Sequence, residues 1–200
     1  MAPVPPWLPN AISGLRIAAV PAWAVAAEVA NRQAEAGVEH ADARAWTLGI
    51  LLGIGASDLV DGYLARRFGL ESRFGATLDA VADKLAQVVL VTYLALRIGP
   101  AFAAVPLWFL GLLIARDLVL LAGVLAIRSR VGRVAVVHRW HGKAASVLLF
   151  LLLCAFSAGH GDEVTWPLLC AIAVLVVWST VLYVRDGFRQ VSRAAGGPPA

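Results

Sequence analysis

Six stretches of this 200-residue chain are apolar over about the length needed to cross a lipid bilayer. That feature limits the possible folds more than any other. A helix spans the hydrocarbon with about 20 mostly apolar residues. The stretches run near 11–30, 44–66, 73–97, 103–127, 141–159 and 164–186. Only 15% of residues are charged and the mean hydropathy is +0.77, whereas soluble domains carry about 25% charged residues. The expected fold class is therefore an all-α integral membrane protein, a six-transmembrane-helix bundle. One domain covers 1–190, and the tail "SRAAGGPPA" within 191–200 reads as disordered.

Basic residues orient the bundle. Arg66, Arg67 and Arg73 lie in the second connection, and Arg128, Arg130, Arg133, Arg139 and Lys143 in the fourth. Arg185, Arg189 and Arg193 follow the last stretch, while the opposite connections carry Glu35, Glu39, Asp42, Asp162 and Glu163. Positive charge stays on the cytoplasmic side. Both termini and the 66–73 turn are expected there, in a cytoplasmic (bacterial inner) membrane. The formal net charge of +4 fits such loops and anionic headgroups; no nucleic-acid motif is present. The N-terminus "MAPVPPWLPN" lacks the pattern of a cleaved signal peptide. Cys154 and Cys170 are expected to be small buried thiols rather than a disulfide.

Against this background stands "DLVDGYLARRFGLESRFGATLDAVAD", residues 58–83, with Asp58, Asp61, Asp79 and Asp83. Spacings of three and four place each pair on one helix face. The turn between the two helices is short, so all four carboxylates can converge. An Asp at the centre of a membrane helix costs about 2.5–3.5 kcal/mol, less near the interface. One cation such as Arg66 or Lys84 does not neutralise four carboxylates. Divalent cations do, and hard oxygen donors select Mg²⁺, Mn²⁺ or Ca²⁺. A two-metal carboxylate site suits phosphoryl chemistry, because attacking and leaving oxygens both need stabilising. Gly62, Ala65 and Gly75 leave room for a ligand near the backbone, and Arg66 is placed to hold a phosphate.

The pattern Asp58-x2-Asp61-Gly62-x2-Ala65-Arg66-x8-Gly75-x3-Asp79-x3-Asp83 resembles the signature of the CDP-alcohol phosphatidyltransferase family at all eight specified positions. "LPNAISGLR", with Pro9, Asn10, Ile12, Ser13 and Arg16, resembles the N-terminal element of that family. The resemblance implies transfer of a phosphatidyl group from CDP-diacylglycerol to an alcohol, with release of CMP. It implies that Asp58, Asp61, Asp79 and Asp83 ligate Mg²⁺ or Mn²⁺, as two ions, and that Asn10, Gly62, Ala65, Arg66 and Gly75 bind the CDP moiety. Asp83 is implied as the general base. A carboxylate beside a metal is a weak base, which leaves a purely ligating role open. A homodimer is also implied, and Gly49-x3-Gly53 offers a close-packing face.

The second half must select the acceptor. Arg116 lies inside an apolar stretch beside Asp117, where a charge pair is either functional or a structural bridge. Arg128, Lys143 and Arg185 are further candidates for a phosphate-bearing acceptor. "ADK" at 82–84 and "GK" at 142–143 resemble the phosphatidylglycerophosphate synthase and cardiolipin synthase branches. Arg116-Asp117 and "GKAAS" depart from the usual phosphatidylglycerophosphate synthase pattern, in which Arg-Glu and "GKxKT" are expected. Glycerol-3-phosphate is the first expectation for the acceptor and phosphatidylglycerol the second. A small cation transporter would also place carboxylates in a membrane, but would not require Gly62, Ala65, Arg66 and Gly75 at these spacings.

Overall fold

The computed structural model describes Pro5 and residues 8–68, 73–131 and 140–195. Among these residues the chain is all-helical. Its elements are α1 (Leu8–Glu35), α2 (Ala41–Phe68), α3 (Arg73–Leu96), α4 (Leu107–Val131), α5 (Trp140–Ser157) and α6 (Asp162–Ala195). Among the described residues, four helical segments are long and apolar enough to cross a membrane: Ala11–Glu35, Ala41–Leu64, Leu107–Ser129 and Asp162–Gln190. The α3 helix does not join them because Asp79, Asp83 and Lys84 interrupt its first half. The apolar part of α5, Ala144–Ser157, is short. The α6 helix is regular as far as Ala195, and 196–200 lie outside the described residues.

The chain divides into two compact units. The first holds Met1–Val105 and Leu153–Thr165. Within it, α1 packs against both α2 and α3. Ser13, Arg16, Val20, Trp23, Ala27 and Ala30 form one buried face of α1, at the three-and-four spacing of a helix stripe. Ala43, Thr47, Leu51, Ile54 and Asp61 do the same on α2, and Ala82, Ala86, Leu90 and Leu94 on α3. Each stripe is apolar along its middle and turns polar toward the end nearest the 68–73 connection. Small residues in the stripes let the three helices approach closely.

The far end of this trio is closed by a polar clamp. Arg97 donates from Nε to Glu28 Oε2 at 2.9 Å and from Nη2 to Glu35 Oε1 at 2.9 Å. The Tyr93 hydroxyl donates to Glu28 Oε2 at 3.2 Å, and its ring meets Trp23 edge-on at 5.6 Å. Buried Asn31 donates to Tyr93 Oη and accepts the Ala101 backbone N–H. The α1 and α5 helices both end in a glycine with positive φ, Gly37 at 69° and Gly159 at 77°. In each case the N–H of the glycine and that of the residue after it turn back onto the last helical carbonyls, Gly37 to Ala34 and Val38 to Gln33, Gly159 to Phe156 and His160 to Ala155, the Schellman arrangement.

The second unit holds Pro106–Leu152 and Trp166–Ala200. Within it Trp108 stacks on Trp166 at 6.4 Å and Gly187 meets Ile127. Leu118, Leu121 and Leu125 on α4 and Val174, Trp178 and Val181 on α6 all face outward. Such apolar faces suit acyl chains and not water. Both cysteines are free thiols. Cys154 is half-buried, whereas Cys170 is exposed, contrary to the expected burial, because it lies on an outward face of α6. A Cβ on Gly49 or Gly53 would meet no heavy atom of the described residues within 4 Å.

Candidate active site

At the polar end of the trio, a single guanidinium gathers four carboxylates. Arg16 Nη1 lies 2.7 Å from Asp79 Oδ1, 2.7 Å from Asp83 Oδ1 and 3.3 Å from Asp58 Oδ1. Its Nη2 donates to Asp61 Oδ2 at 2.7 Å, and its Nε donates to Ser57 Oγ at 3.2 Å. Ser57 in turn donates to the Ile54 carbonyl at 2.7 Å, and Ser13 donates to Asp61 Oδ2 at 3.3 Å. The sequence spacing explains the convergence. Arg16 continues the buried stripe of α1, Ser57, Asp58 and Asp61 continue that of α2, and Asp79 that of α3, with Asp83 one turn further on at the exposed edge of that face.

The cluster is graded in depth. The Arg16 side chain is 0% exposed and that of Asp61 5%, so the two form the floor. Asp58, Asp79 and Asp83 are 45%, 39% and 53% exposed and line an open mouth. Asp58, Asp61 and Asp79 each present an oxygen within 4.8 Å of the others, a group able to hold a metal ion. Their donors are all hard carboxylate oxygens, which suits a divalent cation of the Mg²⁺ or Mn²⁺ class. Asp83, the most exposed of the four, joins the cluster through Arg16 Nη1 rather than as part of that triad. Even after Arg16 is counted, four carboxylates leave an excess of negative charge, and this excess favours cation binding.

Of the CDP-binding candidates, Gly62 and Gly75 lie half-buried on α2 and α3. The Gly62 N–H donates to the Asp61 carboxylate. The side chains of Asn10, Ala65 and Arg66 lie outside the described residues, as does that of Lys143. The remaining acceptor candidates belong to the second unit. Arg116 is mostly buried on α4, with Nη1 3.7 Å from Asp117 Oδ1 and Nε unpartnered among the described residues. Arg128 is exposed on α4, and Arg185 lies 3.9 Å from Asp186 on α6.

Sequence reasoning leaves Arg16 out of the cluster, which it enters from the first helix. Of the two cations weighed against the carboxylates in the sequence, Lys84 directs its ammonium to Gln87 Oε1 at 3.4 Å, and the Arg66 side chain lies outside the described residues. Ser13 and Ser57 were likewise not counted as site residues. The signal was present in the spacing 13, 16, 20, 23, 27, 30, which carries Arg16 into the buried register of α1.

The profile of CDP-alcohol phosphatidyltransferases matches residues 6–183. The chain belongs to this family. The match covers all four aspartates and the Arg16 segment. A Mycobacterium tuberculosis protein provisionally named cardiolipin synthase is 32% identical over 185 residues, covering 88% of this chain and 80% of its own length. The CMP-forming cardiolipin synthase of Streptomyces coelicolor is 32% identical over 187 residues, with the same coverage of 88% and 80%. A CDP-diacylglycerol–glycerol-3-phosphate 3-phosphatidyltransferase of Arabidopsis thaliana is 33% identical over 161 residues, covering 73% of this chain and 68% of its own length. As a CDP-alcohol phosphatidyltransferase the protein is a membrane enzyme, and the transporter reading falls away.

Proposed function

We propose that the enzyme transfers the phosphatidyl group of CDP-diacylglycerol to the free glycerol hydroxyl of a phosphate-bearing acceptor. The observation that carries this reading is the convergence of Asp58, Asp61, Asp79 and Asp83 on one half-open mouth. In the reaction, the acceptor oxygen forms a bond to the lipid-proximal phosphorus as the bond from that phosphorus to the CMP oxygen breaks. Asp83, the most exposed carboxylate, takes the hydroxyl proton, and CMP leaves with the bonding pair. Asp58, Asp61 and Asp79, joined by Asp83, would hold two divalent ions, Mg²⁺ or Mn²⁺. Such ions would supply charge neutralisation for the diphosphate and for the leaving CMP. Gly62 and Gly75 leave backbone space for the donor, and Asn10, Ala65 and Arg66 complete its pocket. Arg116, Arg128, Lys143 and Arg185 serve the phosphate of the acceptor.

The arrangement in the membrane follows the charge asymmetry: six crossings, both termini cytoplasmic and the aspartate mouth on the cytoplasmic side of the inner membrane. The open Gly49 and Gly53 face of α2 suits a homodimer.

Glycerol-3-phosphate and the headgroup of phosphatidylglycerol share the same reacting chemistry, a glycerol hydroxyl near a phosphate. Glycerol-3-phosphate is the first reading. Phosphatidylglycerol is the second, favoured by the cardiolipin synthase names of the relatives that match 88% of the chain. Mass spectrometry of the lipid products separates them. Purified enzyme with CDP-diacylglycerol is offered each acceptor in turn. Phosphatidylglycerophosphate supports the first reading and cardiolipin the second. Absence of both, with the donor bound, would contradict a glycerol-phosphate acceptor.

A further inference from the structure

Metal ligation by the aspartates leaves one member of the cluster unexplained. Arg16 is fully buried, yet its guanidinium reaches one oxygen of every carboxylate: Asp58 Oδ1, Asp61 Oδ2, Asp79 Oδ1 and Asp83 Oδ1. Its Nε is tied to Ser57, and Ser57 is tied to the α2 backbone. Arginine keeps its proton in proteins, so this positive charge is permanent. Each carboxylate retains a second oxygen for another cation.

We propose that Arg16 is a positioning residue that pre-assembles the carboxylates and limits the donor-free site to one divalent ion, the second entering together with the diphosphate of the donor. The proposal rests on the phosphatidyltransferase reading above. Its physical basis is the charge count. Among the described residues, four carboxylates and one guanidinium leave the cluster three negative charges. A first divalent ion leaves one. A second would make the site positive, with the guanidinium itself among the repelling charges on a floor withdrawn from solvent, where Coulomb terms exceed those in water. The donor diphosphate brings two negative charges and removes that obstacle. By linkage, the donor strengthens the second ion by the same factor as that ion strengthens the donor. Without Arg16 the site keeps four negative charges, and two ions neutralise it with no donor present.

The test counts bound Mn²⁺ by electron paramagnetic resonance on the full-length enzyme in lipid nanodiscs, with no acceptor present. The wild type should bind one ion alone and two with CDP-diacylglycerol. Arg16→Gln should bind two without the donor, the first roughly tenfold more tightly than the wild type. Arg16→Lys keeps the charge and should return to one. The double variant Arg16→Gln/Asp58→Asn restores the original charge and should also bind one, and it keeps the test decisive if Arg16→Gln alone does not fold. Two ions on the donor-free wild type would overturn the proposal. So would a folded Arg16→Gln that binds one ion or none, since a purely structural arginine predicts loss of metal. CMP release is followed in the same wild-type preparation with acceptor added. Turnover with the wrong stoichiometry sinks only the role of Arg16, whereas absence of turnover with any acceptor sinks the transferase reading.

Discussion

Arg16 Nη2 and Asp61 Oδ2 meet at 2.7 Å on the floor of the aspartate cluster, with both side chains almost wholly withdrawn from solvent. This pair joins α1 to α2 beneath the three more open carboxylates, so it couples helix packing to the geometry of the site. Breaking a buried pair from one side costs about 3–5 kcal/mol, because the remaining charge is left uncompensated. Here the other three carboxylates still compensate Arg16, so the loss is that of a charge-assisted hydrogen bond, about 1.5–3 kcal/mol. Asp61→Asn should lower the melting temperature in detergent by roughly 3–12 °C for a chain of this size. Circular dichroism melts check it, and an unchanged melting temperature would place the stability of α1–α2 elsewhere.

Asp83 should separate chemistry from binding. It lies outside the Asp58–Asp61–Asp79 triad and is the most exposed of the four. Asp83→Asn should slow CMP release by roughly 10²–10⁴-fold, the usual range for a lost general base. Donor affinity, measured by binding of CDP-diacylglycerol without acceptor, should change far less. Parallel loss of donor and metal binding would assign Asp83 a ligating role only.

The aspartates, their spacing and their meeting point were legible in the sequence because charged residues in apolar helices are few and helical spacing fixes which face they share. Arg16 was not read as their partner. Positive charges near helix ends are ordinarily membrane anchors, and the contact from Arg16 on α1 to α2 and α3 joins residues 41 to 67 positions apart. The clamp of Glu28, Asn31, Tyr93 and Arg97 was hidden for the same reason. Its members lie on two helices separated by the whole of α2. The apolar segments predicted six crossings. The α3 helix falls short as an independent apolar span because the same carboxylates that mark the site interrupt it.

Asn31 offers a change that should disturb the fold and spare the chemistry. It is fully buried at the opposite end of α1 and bonds both Tyr93 Oη and the Ala101 N–H. Asn31→Ala leaves the Ala101 N–H without this acceptor and takes one donor from Tyr93 Oη, which keeps its bond to Glu28, at about 1–3 kcal/mol. The melting temperature should fall while kcat of the folded fraction stays near that of the wild type. A loss of kcat without a loss of stability would show that the far end of the trio takes part in turnover.

Removing divalent metal should act on stability and activity together. Ions bound to the folded cluster stabilise it by mass action, about 2.7 kcal/mol at a hundredfold excess over Kd. EDTA should abolish CMP release and lower the melting temperature, and Mg²⁺ or Mn²⁺ should restore both. A melting temperature indifferent to metal would argue against ligation by the buried cluster.

The most direct test of the central claim is CMP release from CDP-diacylglycerol by the purified wild type, with glycerol-3-phosphate or phosphatidylglycerol added singly. The account predicts release that requires the metal and one of these acceptors and that is lost in Asp79→Asn. Release that persists unchanged in Asp79→Asn, or its absence from folded, metal-loaded enzyme with either acceptor, would contradict it.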